Sequence, residues 1–168
     1  GAILFNSLNY RIEINGSSFI KTSAEEDAHS IYISSSEKVS ITNCFLRDCG
    51  YQEKTFSILL KSLNYNFLNN IITFSNINGG CGCLYSNKTN QIIIKGNIFK
   101  NAKKGVEINQ LFELADIENN TFDNGLGTFQ VNCINIGIFN NSIFNLCNNT
   151  FKNLFLDGFF IKIFFNEK

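Results

Sequence analysis

The chain has 168 residues and 19.0 kDa, with 14 basic and 14 acidic side chains for a formal charge of +0, and only Arg11 and Arg47 are arginines, so no cationic face of the kind that binds phosphate backbones is implied. Its 44% hydrophobic residues supply one domain with a real core, and no apolar run is long enough to span a bilayer. Pro, Met and Trp are all absent while Phe reaches 18, and a chain without Met reads as a segment of a longer protein, its residues 1–168 forming a single domain.

Taken in order, the chain repeats one plan. The first coil holds Ile3-Leu4-Phe5, then Tyr10 to Ile14, then Asn15-Gly16-Ser17-Ser18-Phe19-Ile20, and closes with the polar bulge Ala24 to Asp27. The second runs through Ser30 to Ile33, Lys38 to Ile41 and Asn43 to Leu46, and leaves by Cys49 to Lys54; the third through Phe56 to Leu60, Tyr65 to Leu68 and Ile71 to Phe74, ending at Gly79-Gly80-Cys81-Gly82. Coils four and five are the shortest: Cys83 to Tyr85, Gln91 to Ile94 and Asn97 to Phe99, then Val106 to Ile108, Leu114 to Ile117 and Asn120 to Phe122. The sixth, Thr128 to Gly158, contains two motif-like pieces, Asn141 to Phe144 and Asn149 to Phe151, which leaves its register open, and Phe159 to Phe165 begins a seventh.

Alternation of apolar and polar residues is the signature of strands with one buried face, and the Gly-rich corners supply the positive φ that tight bends need. Aligning the Phe of each motif gives a ladder of Phe19, Phe45, Phe74, Phe99, Phe122 and Phe151, whose steps are solenoid periods. A β-sandwich needs longer strands and hairpin turns, whereas here one motif returns at the same place in each turn. The expected fold is therefore all-β, a parallel β-helix (solenoid) of about six to seven coils. Phe stacks on Phe, and Asn side chains bond the buried backbone groups of the corners.

Ile-Thr-Asn-Cys-Phe at 41 to 45, Asn-Asn-Thr-Phe at 119 to 122 and 148 to 151, and the opening Gly-Ala-Ile-Leu resemble the right-handed parallel β-helix repeats of the pectate-lyase-like superfamily. More narrowly, Gly1-Ala2-Ile3 and Phe67-Leu68-Asn69-Asn70 are similar to repeats of polymorphic outer membrane proteins and of protozoan surface adhesins. The resemblance implies a right-handed coil and spans lyases, hydrolases, tailspikes and adhesins alike, so fold does not choose among them.

Lyases of that superfamily gather acidic residues around Ca²⁺, and its hydrolases use aspartates in adjacent coils. The nearest equivalents are Asp116, Glu118 and Asp123, with Glu107 and Glu113 nearby and Lys95, Lys103 and Lys104 one coil earlier; a solvated outer face explains them equally well. Cys81-Gly82-Cys83 with Cys44 and Cys49 lacks the spacers and partner His of a zinc site, and His29, the lone histidine, follows an acidic bulge. No metal or other cofactor is implied.

Six cysteines (Cys44, Cys49, Cys81, Cys83, Cys133 and Cys147) and five sequons (Asn15, Asn87, Asn119, Asn140 and Asn148) point to an oxidising, glycosylating compartment, with disulfides among the cysteines and glycans on the asparagines, although Asn119 and Asn148 fall where side chains are expected to turn inward. The expected role is structural or adhesive, at the cell surface or outside the cell. The bulges at 22–28, 48–55 and 100–105 would meet glycans or neighbouring surface proteins, and the coil ends would allow end-to-end self-association. A carbohydrate-active enzyme of the same fold is the alternative.

Overall fold

Runs of Ile, Val and Phe separated by single polar residues can bury one side only as strands, and every described element of the chain is one. The computed structural model describes residues 2–6, 10–22, 30–34, 37–49, 56–75, 82–124, 132–139, 141–153 and 161–165. Coil one is β1 (Ile3–Asn6), β2 (Arg11–Asn15) and β3 (Ser18–Ile20); coil two is β4 (Ile31–Ser34), β5 (Lys38–Thr42) and β6 (Phe45–Arg47). Coil three is β7 (Phe56–Lys61), β8 (Asn64–Leu68) and β9 (Ile71–Thr73). Coil four is β10 (Gly82–Lys95) and β11 (Ile98–Lys100), coil five β12 (Lys104–Glu118) and β13 (Thr121–Asp123). Coil six is β14 (Asn132–Ile138), β15 (Ile143–Cys147) and β16 (Thr150–Lys152), and β17 (Ile161–Phe165) starts a seventh.

All pairings are parallel, each strand bonding the equivalent strand of the coils before and after it. Three faces result: β1-β4-β7-β10-β12-β14-β17, then β2-β5-β8-β10-β12-β15, then β3-β6-β9-β11-β13-β16. The chain is a parallel β-solenoid. Pairing of β15 with β12 and of β16 with β13 resolves the sixth coil: Asn149-Thr150-Phe151 is the repeat of Asn120-Thr121-Phe122, and Asn141 to Phe144 leads into the second face.

In coils four and five the first two strands, expected as separate, are one bent strand each, because their corner residues stay paired (Lys88 with Gln110, Thr89 with Leu111) until a register shift before Gln91. Equivalent inward residues stack into columns. One reads Ile3, Ile31, Ile58, Leu84, Val106, Ile134, Ile161, and the third face reads Phe19, Leu46, Ile72, Phe99, Phe122, Phe151. The rings of Phe99 and Phe122 stack at 4.8 Å and those of Phe122 and Phe151 at 5.2 Å.

Two members of the expected ladder are not in this column. Phe45 pairs with Ser18 and Ile71 on the outward side, and Phe74 follows β9 and is buried beyond the rung. Asparagine plays two adjacent parts at the corner, which displaces an alignment made on the Asn-Phe motif. The first part is a left-handed residue at the bend: Asn43, Asn69, Asn119 and Asn148 have φ near +55°, and Gly16 and Gly96 hold the same place at +62° and +68°. The second is the next residue, which turns inward, and the rung lies two positions beyond it.

Those inward residues are Ser17, Cys44, Asn70, Asn97, Asn120 and Asn149, and the last four form a hydrogen-bonded ladder. Asn70 N donates to Asn97 Oδ1 at 2.8 Å, Asn97 N to Asn120 Oδ1 at 2.9 Å and Asn120 N to Asn149 Oδ1 at 3.0 Å. Each Nδ2 also donates to a carbonyl of the coil before: Asn70 to Ile41, Asn97 to Phe67, Asn120 to Ile94 and Asn149 to Ile117. Corner groups that would be buried and unpaired are thereby satisfied.

Gly105 marks a close approach of backbone to backbone. A Cβ there would fall 2.4 Å from the Cys133 carbonyl oxygen and 2.7 Å from the Phe122 ring, so backbone has to move to admit one. Gly105→Ala is expected to lower the urea midpoint by the equivalent of about 1–3 kcal/mol, and an unchanged midpoint would contradict this packing.

Candidate functional site

Alternation on β12 sends Asp116 and Glu118 outward together on the second face, and register sets Lys95 of β10 opposite Glu118. Lys95 Nζ lies 2.7 Å from Asp116 Oδ2 and 3.1 Å from Glu118 Oε2, with the Asp116 side chain 16% exposed. Asp116 Oδ1 is buried without a hydrogen-bond partner. The Asp116 hydrogen bond, seconded by that to Glu118, holds the Lys95 amine above the usual lysine range. Its folded value is raised, so whatever the ion pair contributes is complete below the unfolded lysine pKa and is lost as pH rises through the folded one.

Asp123 does not join this group. The left-handed corner at Asn119 turns the chain onto the third face, where Asp123 pairs in register with Lys100 and Lys152 and its Oδ1 accepts from Asn153 Nδ2 at 2.9 Å. Glu107 bonds Lys104 Nζ at 3.0 Å on the first face, the same Nζ lying 5.3 Å from the Phe56 ring centroid, and Glu113 accepts from Gln91 at 2.9 Å. The acids are thus dispersed over three faces, and no three His, Cys, Asp or Glu side chains among the described residues could hold one metal ion. Two carboxylates sharing one lysine keep a net negative charge of one and are both engaged by the same amine, so they present no separate acid and base.

The cysteines depart from the disulfide expectation. Cys44, Cys49, Cys83, Cys133 and Cys147 are free thiols, and Cys81 lies outside the described residues. Parallel stacking is the reason: Cys83 and Cys133 point inward on strands separated by Gly105 of β12, about 9.6 Å apart, beyond the reach of a disulfide. Cys44 instead takes the place of a ladder asparagine, with Sγ 3.7 Å from the Ile14 carbonyl. Burial pushes the Cys44 thiol up and the Cys133 thiol up to about 12, while Cys147 is exposed. Among these five, Cys147 alone is expected to react with a thiol-specific disulfide reagent in seconds under native conditions, the other four only on unfolding; fast reaction persisting in C81S/C147S would contradict the burial.

Of the sequons, Asn140 lies outside the described residues, as does His29. Asn15 is exposed and accepts from Thr42 Oγ1 and Asn43 Nδ2, while Asn87 is half-buried and its sequon partner Thr89 is fully buried, donating to the Ser62 carbonyl. Asn119 and Asn148 are exposed at the bend rather than turned inward; their neighbours Asn120 and Asn149 are the inward pair. Of the three bulges, 100–105 is described, whereas 23–28 and 50–55 lie outside.

Two arrangements had no local signal in the sequence. Tyr65 is buried beside Ser86 and Thr89, whose hydroxyls lie 3.0 Å apart; burial raises the Tyr65 ionisation, and the cluster is sealed from solvent. On the third face, Ile20, Arg47, Thr73, Lys100, Asp123 and Lys152 form one outward column, each immediately after an inward rung. Only stacking brings its cations together, since they are far apart in the chain. Compared with protein-family models, curated protein sequences and solved structures, the chain matches none.

Proposed function

We propose that this chain is a structural and adhesive segment of an extracellular or cell-surface protein, kin to the right-handed parallel β-helix repeats of the pectate-lyase-like superfamily and to their surface-adhesin branch. Its partners are glycans or other surface proteins. The observation that supports this reading most is the dispersal of the charged groups over three outward faces of a rod whose interior is filled and whose second corner is bonded from coil to coil by the Asn70, Asn97, Asn120 and Asn149 ladder. Such a rod holds side chains in register for binding without assembling an acid, a base and a metal at one point. Exposed sequon asparagines Asn15, Asn119 and Asn148 fit a glycoprotein.

End-to-end contact belongs to the same reading. Ile3, Phe5 and Ile12 in the first coil and Phe144, Leu146, Phe151 and Ile161 toward the other end are only partly buried, so a further coil, of this chain or of a second copy, would extend every column. The carbohydrate-active enzyme draws on Lys95, Asp116 and Glu118 being together, and incubation with polygalacturonate and Ca²⁺ separates the two: chain cleavage abolished by Asp116→Asn would favour the enzyme.

The test of the adhesive reading is labelling of intact cells with antibody to the segment. Labelling without permeabilisation is expected; signal that needs permeabilisation would overturn the surface role.

A further inference from the structure

On the third face the outward residue after each rung is a cation in alternate coils. Arg47, Lys100 and Lys152 are exposed and make no ion pair among the described residues. Stacked coils are about 4.8 Å apart, so these cations recur about every 9.6 Å along the axis. In the adjoining outward column Ile71 and Ile98 are each 40% exposed, giving an apolar strip beside the charges.

The spacing selects the partner. A nucleic acid strand carries a charge about every 3.4 Å, so about two of every three phosphates would lie between the cations, over Thr73 and the Asp123 carboxylate. An extended acidic peptide repeats one side about every 6.7 Å, which falls out of step after one contact. An extended polysaccharide with one carboxylate or sulfate on every second ring advances by two pyranose rings per charge, about the length of two coils, and the apolar faces of its rings can lie on Ile71 and Ile98. Asp123 sits between Lys100 and Lys152, and its charge opposes such a ligand locally.

We infer that the third face is a docking track for an extended acidic polysaccharide bearing one charge per disaccharide, lying along the solenoid axis. The inference rests on the proposed binding role, but its test is independent of cell-surface labelling: labelling with no polysaccharide binding would remove the track alone.

The probe is hyaluronan oligosaccharide, with one carboxylate per disaccharide, titrated calorimetrically against the whole chain. Binding is expected to weaken at least tenfold in R47S/K100S/K152S, to stay unchanged in K38S/K88S on other faces, and to strengthen in Asp123→Asn. Methyl-esterified hyaluronan should not bind, a control that needs no variant to fold. No binding by the parent chain, equal binding by the triple variant, or an oligonucleotide or polyglutamate of equal charge binding as tightly would each overturn the inference.

Discussion

Asn97→Ala lowers the stability of the chain by about 3–5 kcal/mol in urea unfolding, the largest effect expected of any single polar substitution. Asn97 Oδ1 accepts from Asn70 N at 2.8 Å and from Asn70 Nδ2 at 3.1 Å, while its Nδ2 donates to the Phe67 carbonyl at 2.8 Å and to Asn120 Oδ1 at 2.9 Å. Truncation leaves the buried Asn70 N–H and the Phe67 carbonyl without those partners, at about 1–3 kcal/mol for each orphaned group. Asn97→Asp is a sharper probe. It keeps the acceptor but turns the bonds that Nδ2 donates to the Phe67 and Lys95 carbonyls and to Asn120 Oδ1 into oxygen–oxygen contacts, so its stability should recover as pH falls and the carboxyl protonates. The neighbouring bend residue gives the contrast: Asn119→Ala affects an exposed left-handed position and should cost about 1–2 kcal/mol through backbone strain alone. Equal losses at 97 and 119 would contradict the division of labour at the corner.

Phe99→Ala is expected to cost about 3–5 kcal/mol, because it empties the middle of the third-face column. Phe99 is 2% exposed, with Phe122 4.8 Å away and Phe67 6.3 Å away, centroid to centroid, both stacked on it. Neighbouring coils are bonded above and below, so the cavity cannot close by local collapse. Phe45→Ala removes a ring of the same size from the outward side and should cost much less. Measured denaturant midpoints for the pair therefore report directly which phenylalanines are rungs.

The fold was legible because its cause is local and repeated. Ile12-Glu13-Ile14 or Val39-Ser40-Ile41 cannot bury both apolar residues except as a strand, and their return with the same Asn-rich corner implies stacking. Register was less legible, since Asn43 is a bend residue while Asn97 is a ladder residue, and only φ and the direction of the side chain separate them. The same limit applied to the acids. Asp116 and Glu118 share a face by simple alternation, but the corner between Glu118 and Thr121 carries Asp123 to another sheet. The column of Arg47, Lys100 and Lys152 has no sequence signature at all, because stacking joins residues that only the completed coils bring together. Disulfides were expected from cysteine number, whereas the placement of Cys44 and Cys83 follows from small inward positions at corners and strand starts.

The central claim is that equivalent residues of successive coils lie side by side in parallel register, and an engineered cross-link tests it most directly. In a Cys147→Ser background, T121C/T150C joins two register partners with Cα atoms about 4.8 Å apart, within disulfide reach, whereas T121C/K152C is diagonal at about 8 Å and outside it. Mild oxidation should close an intramolecular disulfide in the first pair and not in the second. Equal cross-linking of both pairs, or cross-linking only of the diagonal pair, would contradict the stacked register on which the ladder, the cation column and the proposed binding role all depend.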